Sequence, residues 1–249
     1  MITNTQRTTP HEYVSHYNST MTRIIQLVSC LSDGDESVIV QACPEWSVKD
    51  LVSHVAGLCE ALSRGEAPPS DTQVWVDLLV AERANQSLGT TLEQWQACAP
   101  QFAEVAEANV RIAAPITYDL IVHEHDLRHA LNLPGERDND AVLVAMSFGA
   151  LMIENDLKNL NKGSLLLRCG QHEWQCGPGD VALSLDLTNY CENPIWDTLR
   201  LTGSRRSKSQ LQRYPWQIAS GQSTNGQSAN DALLSGMLHM EPPLIDINE

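Results

Sequence analysis

"YDLIVHEHDLRHAL", residues 118–131, sets three histidines and three carboxylates into fourteen positions. At about 100° per residue on a helix, Asp119 and His123 fall four apart on one face, and Asp126 returns almost above Asp119. Leu120, Ile121, Val122 and Leu127 supply apolar packing beside that polar stripe. A carboxylate and a histidine at i, i+4 can chelate one divalent ion, but two ligands do not make a tight site. The stretch therefore predicts a helix whose stripe is either part of a metal site or a solvated face carrying ordinary polar pairs.

A third ligand has to come from another element, and His54 is the best candidate. It stands mid-helix in "CPEWSVKDLVSHVAG", residues 43–57, among Leu51, Val52, Val55 and Leu58. Ser47 is the natural N-cap of that helix, with Asp50 three residues on as a carboxylate near the positive helix end. Two neutral imidazoles and one carboxylate would leave a divalent ion with an open position, an arrangement suited to catalysis. Asp126 would then orient an imidazole through its other nitrogen, or merely satisfy a buried backbone group. The competing reading makes His54 a hydrogen-bonded core histidine. His125, His129 and Glu124 are assigned to surface or support.

Outward from these two helices the chain reads as helical over its first two thirds. Helices are expected over residues 10–31, from Ser47 to a stop at Gly65, and within 72–97, which holds one helix and the start of another. Further helices are expected at 101–112, 116–132 and 140–160. After "NKG" the texture changes, and "SLLLRCG", "HEWQCG" and "DVALSLDL" are short strand-like runs separated by Gly and Pro. Residues 193–216 read as helical again, and 219–230 have the composition of a flexible loop. The expected fold is α+β, with a helical domain at 1–161, a boundary near Lys162, and a small α/β domain at 162–249.

The chain has 249 residues, 42% of them hydrophobic, and can bury a sizeable core. With 31 acidic against 16 basic residues its formal charge is -15, which argues against a nucleic-acid or anionic-membrane surface. The first twenty residues lack a basic segment followed by an apolar one, and no apolar run spans a bilayer, so a cytoplasmic protein is expected. The seven cysteines include no CxxC pair, and reduced thiols are the simplest account. Cys30 and Cys59 are read as small core residues, and Cys169 and Cys176 as able to approach across a hairpin.

Residues 43–57 and 118–131 together resemble the N-terminal metal-binding domain of the mycothiol-dependent maleylpyruvate isomerase family. The resemblance implies a DinB-like four-helix bundle in which His54, Asp119 and His123 bind a divalent metal, usually zinc. Family members carry glutamate or aspartate at the position of Asp119. A second segment, "LRLTGSRRSKSQLQRYPW" at 199–216, is similar to the family's C-terminal motif of paired arginines, although Gly203 precedes Ser204 here where the reverse order is common. The tail at 217–249 has no counterpart in the resemblance.

The function this implies is a divalent-metal-dependent enzyme that uses a low-molecular-weight thiol, mycothiol by resemblance, on a small electrophile such as maleylpyruvate. It would act as an isomerase, by thiolate addition to a cis double bond, rotation and elimination, or as a thiol S-transferase. Arg205 or Arg206 could clamp a substrate carboxylate, or could simply pair with acids of this acidic chain. The alternative from another class is a non-catalytic metal-binding scaffold or a small-molecule-binding regulatory protein. The two differ in whether the three ligands meet at an accessible site or a sealed one.

Overall fold

The Ser47 hydroxyl accepts from the Asp50 amide at 3.2 Å while the Asp50 carboxylate accepts from the Ser47 amide at 2.9 Å, closing a reciprocal cap. This is the local device that starts α2 (Val48–Ser63), and such caps contribute about 1 kcal/mol. The same box, made by Thr9 and Glu12, opens α1 (Pro10–Ser29). The computed structural model describes residues 2–3, 8–32, 34–159, 163–218 and 242–249. They fall into two units, one of residues 8–135 and one of residues 1–7 with 136–249.

The first unit contains α1, α2, α3 (Thr72–Ala81), α4 (Leu88–Glu107) and α5 (Val110–Ala130). α1 and α2 each pack against both α4 and α5, giving a four-helix bundle, while α3 lies on α2. α2 is buried around nearly its whole circumference, from Val48 and Leu51 through Ala56 to Cys59 and Leu62. Helices that are apolar on all sides are central ones. α5 is likewise buried from Leu120 to Leu127, which brings its polar residues inside the bundle rather than to water.

Two helix boundaries differ from the sequence expectation. α4 runs unbroken through Pro100, and α5 begins before Pro115 and continues through it. A proline inside a helix forfeits one backbone hydrogen bond. In α4 the burial of Trp95, Ala99, Phe102 and Ala106 outweighs that loss.

The second unit holds α6 (Asp140–Asn159), a five-stranded sheet and two short helices, so the architecture is α+β. The strands are β1 (Ile2–Thr3), β2 (Ser164–Cys169), β3 (His172–Cys176), β4 (Val181–Asp186) and β5 (Trp216–Ile218), in the order β1-β3-β2-β4-β5. β2 and β3 form an antiparallel hairpin, β2 and β4 are parallel, and β1 adds parallel to β3. α6 packs against β3 and against α7 (Pro194–Thr202). The contacts thus group α6 with the sheet, whereas the sequence marks its change of texture near Lys162, a residue outside those described.

The expected helix over 193–216 is interrupted: α7 ends before Gly203, Ser204 adopts a left-handed φ of 60°, and α8 spans Lys208–Arg213. Cys169 and Cys176 do not face each other, because the hairpin register pairs Cys169 with His172 and Cys176 with Leu165. Cys59 is fully buried as expected, but Cys30, the residue after the last turn of α1, is exposed. The loop composition at 219–230 falls outside the described residues. Among the described residues no helix is long and apolar enough to cross a membrane.

Candidate metal centre

Three side chains from α2 and α5 converge inside the bundle. His54 Nε2 lies 3.2 Å from Asp119 Oδ2, and His123 Nε2 lies 3.4 Å from Asp119 Oδ1. The two imidazole rings meet nearly edge to face with centroids 5.1 Å apart. One ligand atom from each of the three residues lies within 4.8 Å of the others. Donors about 2.1 Å from an ion at tetrahedral angles stand about 3.4 Å apart, so these separations suit a small divalent cation.

The hydrogen bonds give an independent reason for positive charge here. His123 Nδ1 donates to Asp126 Oδ2 at 2.9 Å, and Asp126 is wholly buried. In a neutral ring the proton is thereby placed on Nδ1, which leaves the Nε2 lone pair facing an Asp119 oxygen. Two acceptors cannot face each other at that distance without a cation between them. Either a second proton or a metal ion resolves the conflict.

The electrostatics point the same way. Burial opposes ionisation of Asp119, yet the attraction of His123 and His54 outweighs it and holds the carboxyl well below the usual range. Burial likewise opposes the charged form of His123, but Asp119 and Asp126 raise its affinity for a proton above the ordinary value. A site that holds a proton this strongly can hold a divalent ion, with the two in competition.

Trp46, in the turn that leads into α2, covers the imidazoles, with its ring centroid 5.0 Å from that of His54 and 6.5 Å from that of His123. Val40, Cys43 and Trp46 are tied in that turn by successive backbone hydrogen bonds. Cys43 also brings its sulfur into a group with His123 and Asp126. Neither Trp46 nor Cys43 is among the site residues expected from the sequence. Its only signal for Cys43 is position, three residues ahead of Trp46. His54 and His123 are buried, while the Asp119 side chain is 33% exposed.

The neighbouring polar residues of α5 are supports. Glu124 is buried and held by Arg23 and Arg128, each through two guanidinium nitrogens. His125 is buried, and His129 meets Gln41 at 3.0 Å.

Arg205 and Arg206 lie in the second unit, and both are buried. Arg205 donates to the Gly203 carbonyl at 2.6 Å. Arg206 already binds carboxylates, Asp197 at 2.8 Å and Glu249 at 2.7 Å, and its Nε donates to the Tyr214 hydroxyl at 3.2 Å. Arg200, fully buried, binds both oxygens of Glu249 and shares Oε2 with Arg206. The tail that delivers Glu249 is docked through Ile247, whose amide and carbonyl are both held by the Gln210 side chain, at 3.1 and 2.7 Å.

A bundle that gathers two histidines and an aspartate from two of its helices has the donor set of a metal-binding helical domain. Residues 18–128 match the family described as the mycothiol maleylpyruvate isomerase N-terminal domain, so the resemblance read from the sequence holds across that span. Among solved structures, the chain is similar to the mycothiol-dependent maleylpyruvate isomerase and to a mutant of it, at 14% and 13% identity with TM-scores of 0.51 and 0.52. Each likeness covers 88% of this chain and 98% of the other. At such identity it is the fold that is shared. No curated protein matches the chain.

Proposed function

We propose that this protein is a cytoplasmic, divalent-metal-dependent enzyme that uses a low-molecular-weight thiol of the mycothiol kind on a small electrophile. The observation that carries the reading is the meeting of His54, Asp119 and His123, with Asp126 fixing the His123 tautomer, inside the span that matches the family domain. Zinc suits a set of two nitrogens and one oxygen. When bound, such an ion supplies positive charge that favours a thiolate over a thiol at neutral pH.

The chain's own groups set the conditions for that chemistry. Two neutral imidazoles and one carboxylate cancel only one of the two charges of the ion, so the site retains a net attraction for an anionic sulfur. Asp126 keeps the His123 proton on Nδ1 and turns Nε2 inward. Trp46 walls the imidazoles on one side and the exposed edge of Asp119 leaves a route of entry. Isomerisation of maleylpyruvate and S-transfer to another electrophile ask the same of this site. A carboxylate clamp at Arg206 would require a substrate to take the place of Glu249.

The test is metal content of protein purified without added metal, comparing wild type with His54→Ala and His123→Ala. One ion per chain, lost in both variants, followed by thiol-dependent turnover of maleylpyruvate, supports the proposal. Stoichiometric metal without any thiol-dependent reaction favours the scaffold reading. Failure to take up zinc at all removes the metal centre.

A further inference from the structure

Cys59 and Cys98 place their sulfurs 3.5 Å apart across the α2–α4 packing interface. Cys59 is wholly buried, whereas Cys98 is half-buried with its sulfur 3.3 Å from the Trp95 carbonyl. We propose that these two thiols are a redox site, with Cys98 the thiol that meets oxidant and Cys59 the one that resolves it into a disulfide joining α2 to α4.

The argument begins with distance. A disulfide needs its sulfurs about 2.05 Å apart, so bond formation asks for a closure of about 1.5 Å, within reach of side-chain rotation. The helices that carry the thiols already pack together, and neither has to be unfolded to bring the sulfurs into register. Exposure then assigns the roles. Cys59 has no surface through which an oxidant could reach it first, and Cys98 has some. The hydrogen bond between the sulfurs favours the thiolate at Cys98 and, with burial, keeps Cys59 as the thiol.

With a hydroperoxide as oxidant the chemistry balances. The Cys98 thiolate attacks the terminal peroxide oxygen, the O–O bond breaks, and the departing alkoxide or hydroxide takes the proton that the Cys98 thiol released, giving a sulfenic acid and an alcohol, or water from hydrogen peroxide. Cys59 sulfur then attacks Cys98 sulfur, the S–O bond breaks, and the departing hydroxide leaves as water with the Cys59 proton. Two thiols lose two electrons, and the peroxide gains them. A disulfide of this type in a reducing compartment is transient and signals oxidant rather than holding the fold together. Its location matters because Cys59 lies five residues after His54 on the same helix.

The experiment exposes full-length protein to hydrogen peroxide, blocks remaining thiols with N-ethylmaleimide and maps peptides by mass spectrometry without reductant. The expected result is a Cys59–Cys98 cross-link, loss of two of the seven thiols, and recovery of both with dithiothreitol. Cys59→Ser should accumulate a Cys98 sulfenic acid that dimedone traps, and Cys98→Ser should give no cross-link at Cys59. The proposal is overturned if Cys98 over-oxidises in the wild type without cross-linking, or if other cysteines react while this pair stays reduced.

Discussion

Asp126 stands three residues beyond His123 on α5 and accepts a hydrogen bond from its Nδ1 across 2.9 Å, with no exposure to solvent. Partners of this kind fix the orientation of a metal-binding imidazole, and losing one typically weakens affinity 10–100-fold. Asp126→Ala is therefore expected to lower zinc affinity by that order in a chelator competition. Asp126→Asn, whose carbonyl can still accept the proton, should lose less. Equal affinity in all three proteins would show that Asp126 has no part in positioning His123.

Glu124 lies between Arg23 and Arg128, and both arginines are mostly shielded. Removing one partner of a buried ion pair costs about 3–5 kcal/mol because a charge is left unmatched. Since Arg23 and Arg128 keep some access to water, Glu124→Ala is expected to destabilise the bundle by about 2–3 kcal/mol. Urea titration followed by helical circular dichroism measures it. A change below about 0.5 kcal/mol would place this network with ordinary surface pairs.

Gly57 marks a close approach of α3 to α2. A Cβ there would stand 2.9 Å from the Leu79 Cβ and 3.1 Å from an Arg83 nitrogen. Overpacking of this kind costs about 1–3 kcal/mol, which exceeds the gain in helix propensity from replacing a glycine. Gly57→Ala should lower the unfolding midpoint, and it should cost less in a Leu79→Gly background, which removes the Cβ it would meet. A double-mutant cycle without coupling between the two sites would contradict the contact.

Glu249 gives a pH dependence with a definite sign. Burial opposes its ionisation, but Arg200 and Arg206 hold the carboxyl below its ordinary value of 4.5. A group whose pKa falls on folding adds stability that is complete above the unfolded value and fades as pH drops through the folded one. Below about pH 4 the second unit should therefore lose stability in the wild type more steeply than in Glu249→Gln. At pH 7 the same variant should be less stable by about 3 kcal/mol, because Arg200 and Arg206 both lose a buried carboxylate contact. Chemical denaturation at several pH values, followed by tryptophan fluorescence, tests both statements.

The helical origin of the candidate centre was legible because each signal was local. Ser47 with Asp50 announced the start of α2, and the four-residue spacing of Asp119 and His123 put them on one face of α5. That His54 would meet them is a long-range fact: its place on a well-marked helix made it the best candidate for a third ligand, and the resemblance added the pairing. Pro100 and Pro115 misled for a physical reason: one lost hydrogen bond looks decisive locally but is small beside the burial of a helix face. The Cys59–Cys98 contact left no trace in spacing, since it depends on how two helices separated by 39 positions are packed. The seat of Glu249 was equally hidden, for a carboxylate in a polar tail has no pattern that points to Arg200.

β1, only two residues long, joins β3 in parallel before the chain enters the bundle, and the chain rejoins the sheet's unit at Glu136. In topological terms the helical bundle is an insertion within a discontinuous domain, attached by two covalent connections instead of one. A fragment beginning at Glu136 would lack its first sheet partner, and the backbone groups of β3 that face β1 would be left as an open edge, the feature that invites pairing between chains. The opening residues thus belong to the sheet's solubility, although the helices that follow them carry the candidate chemistry.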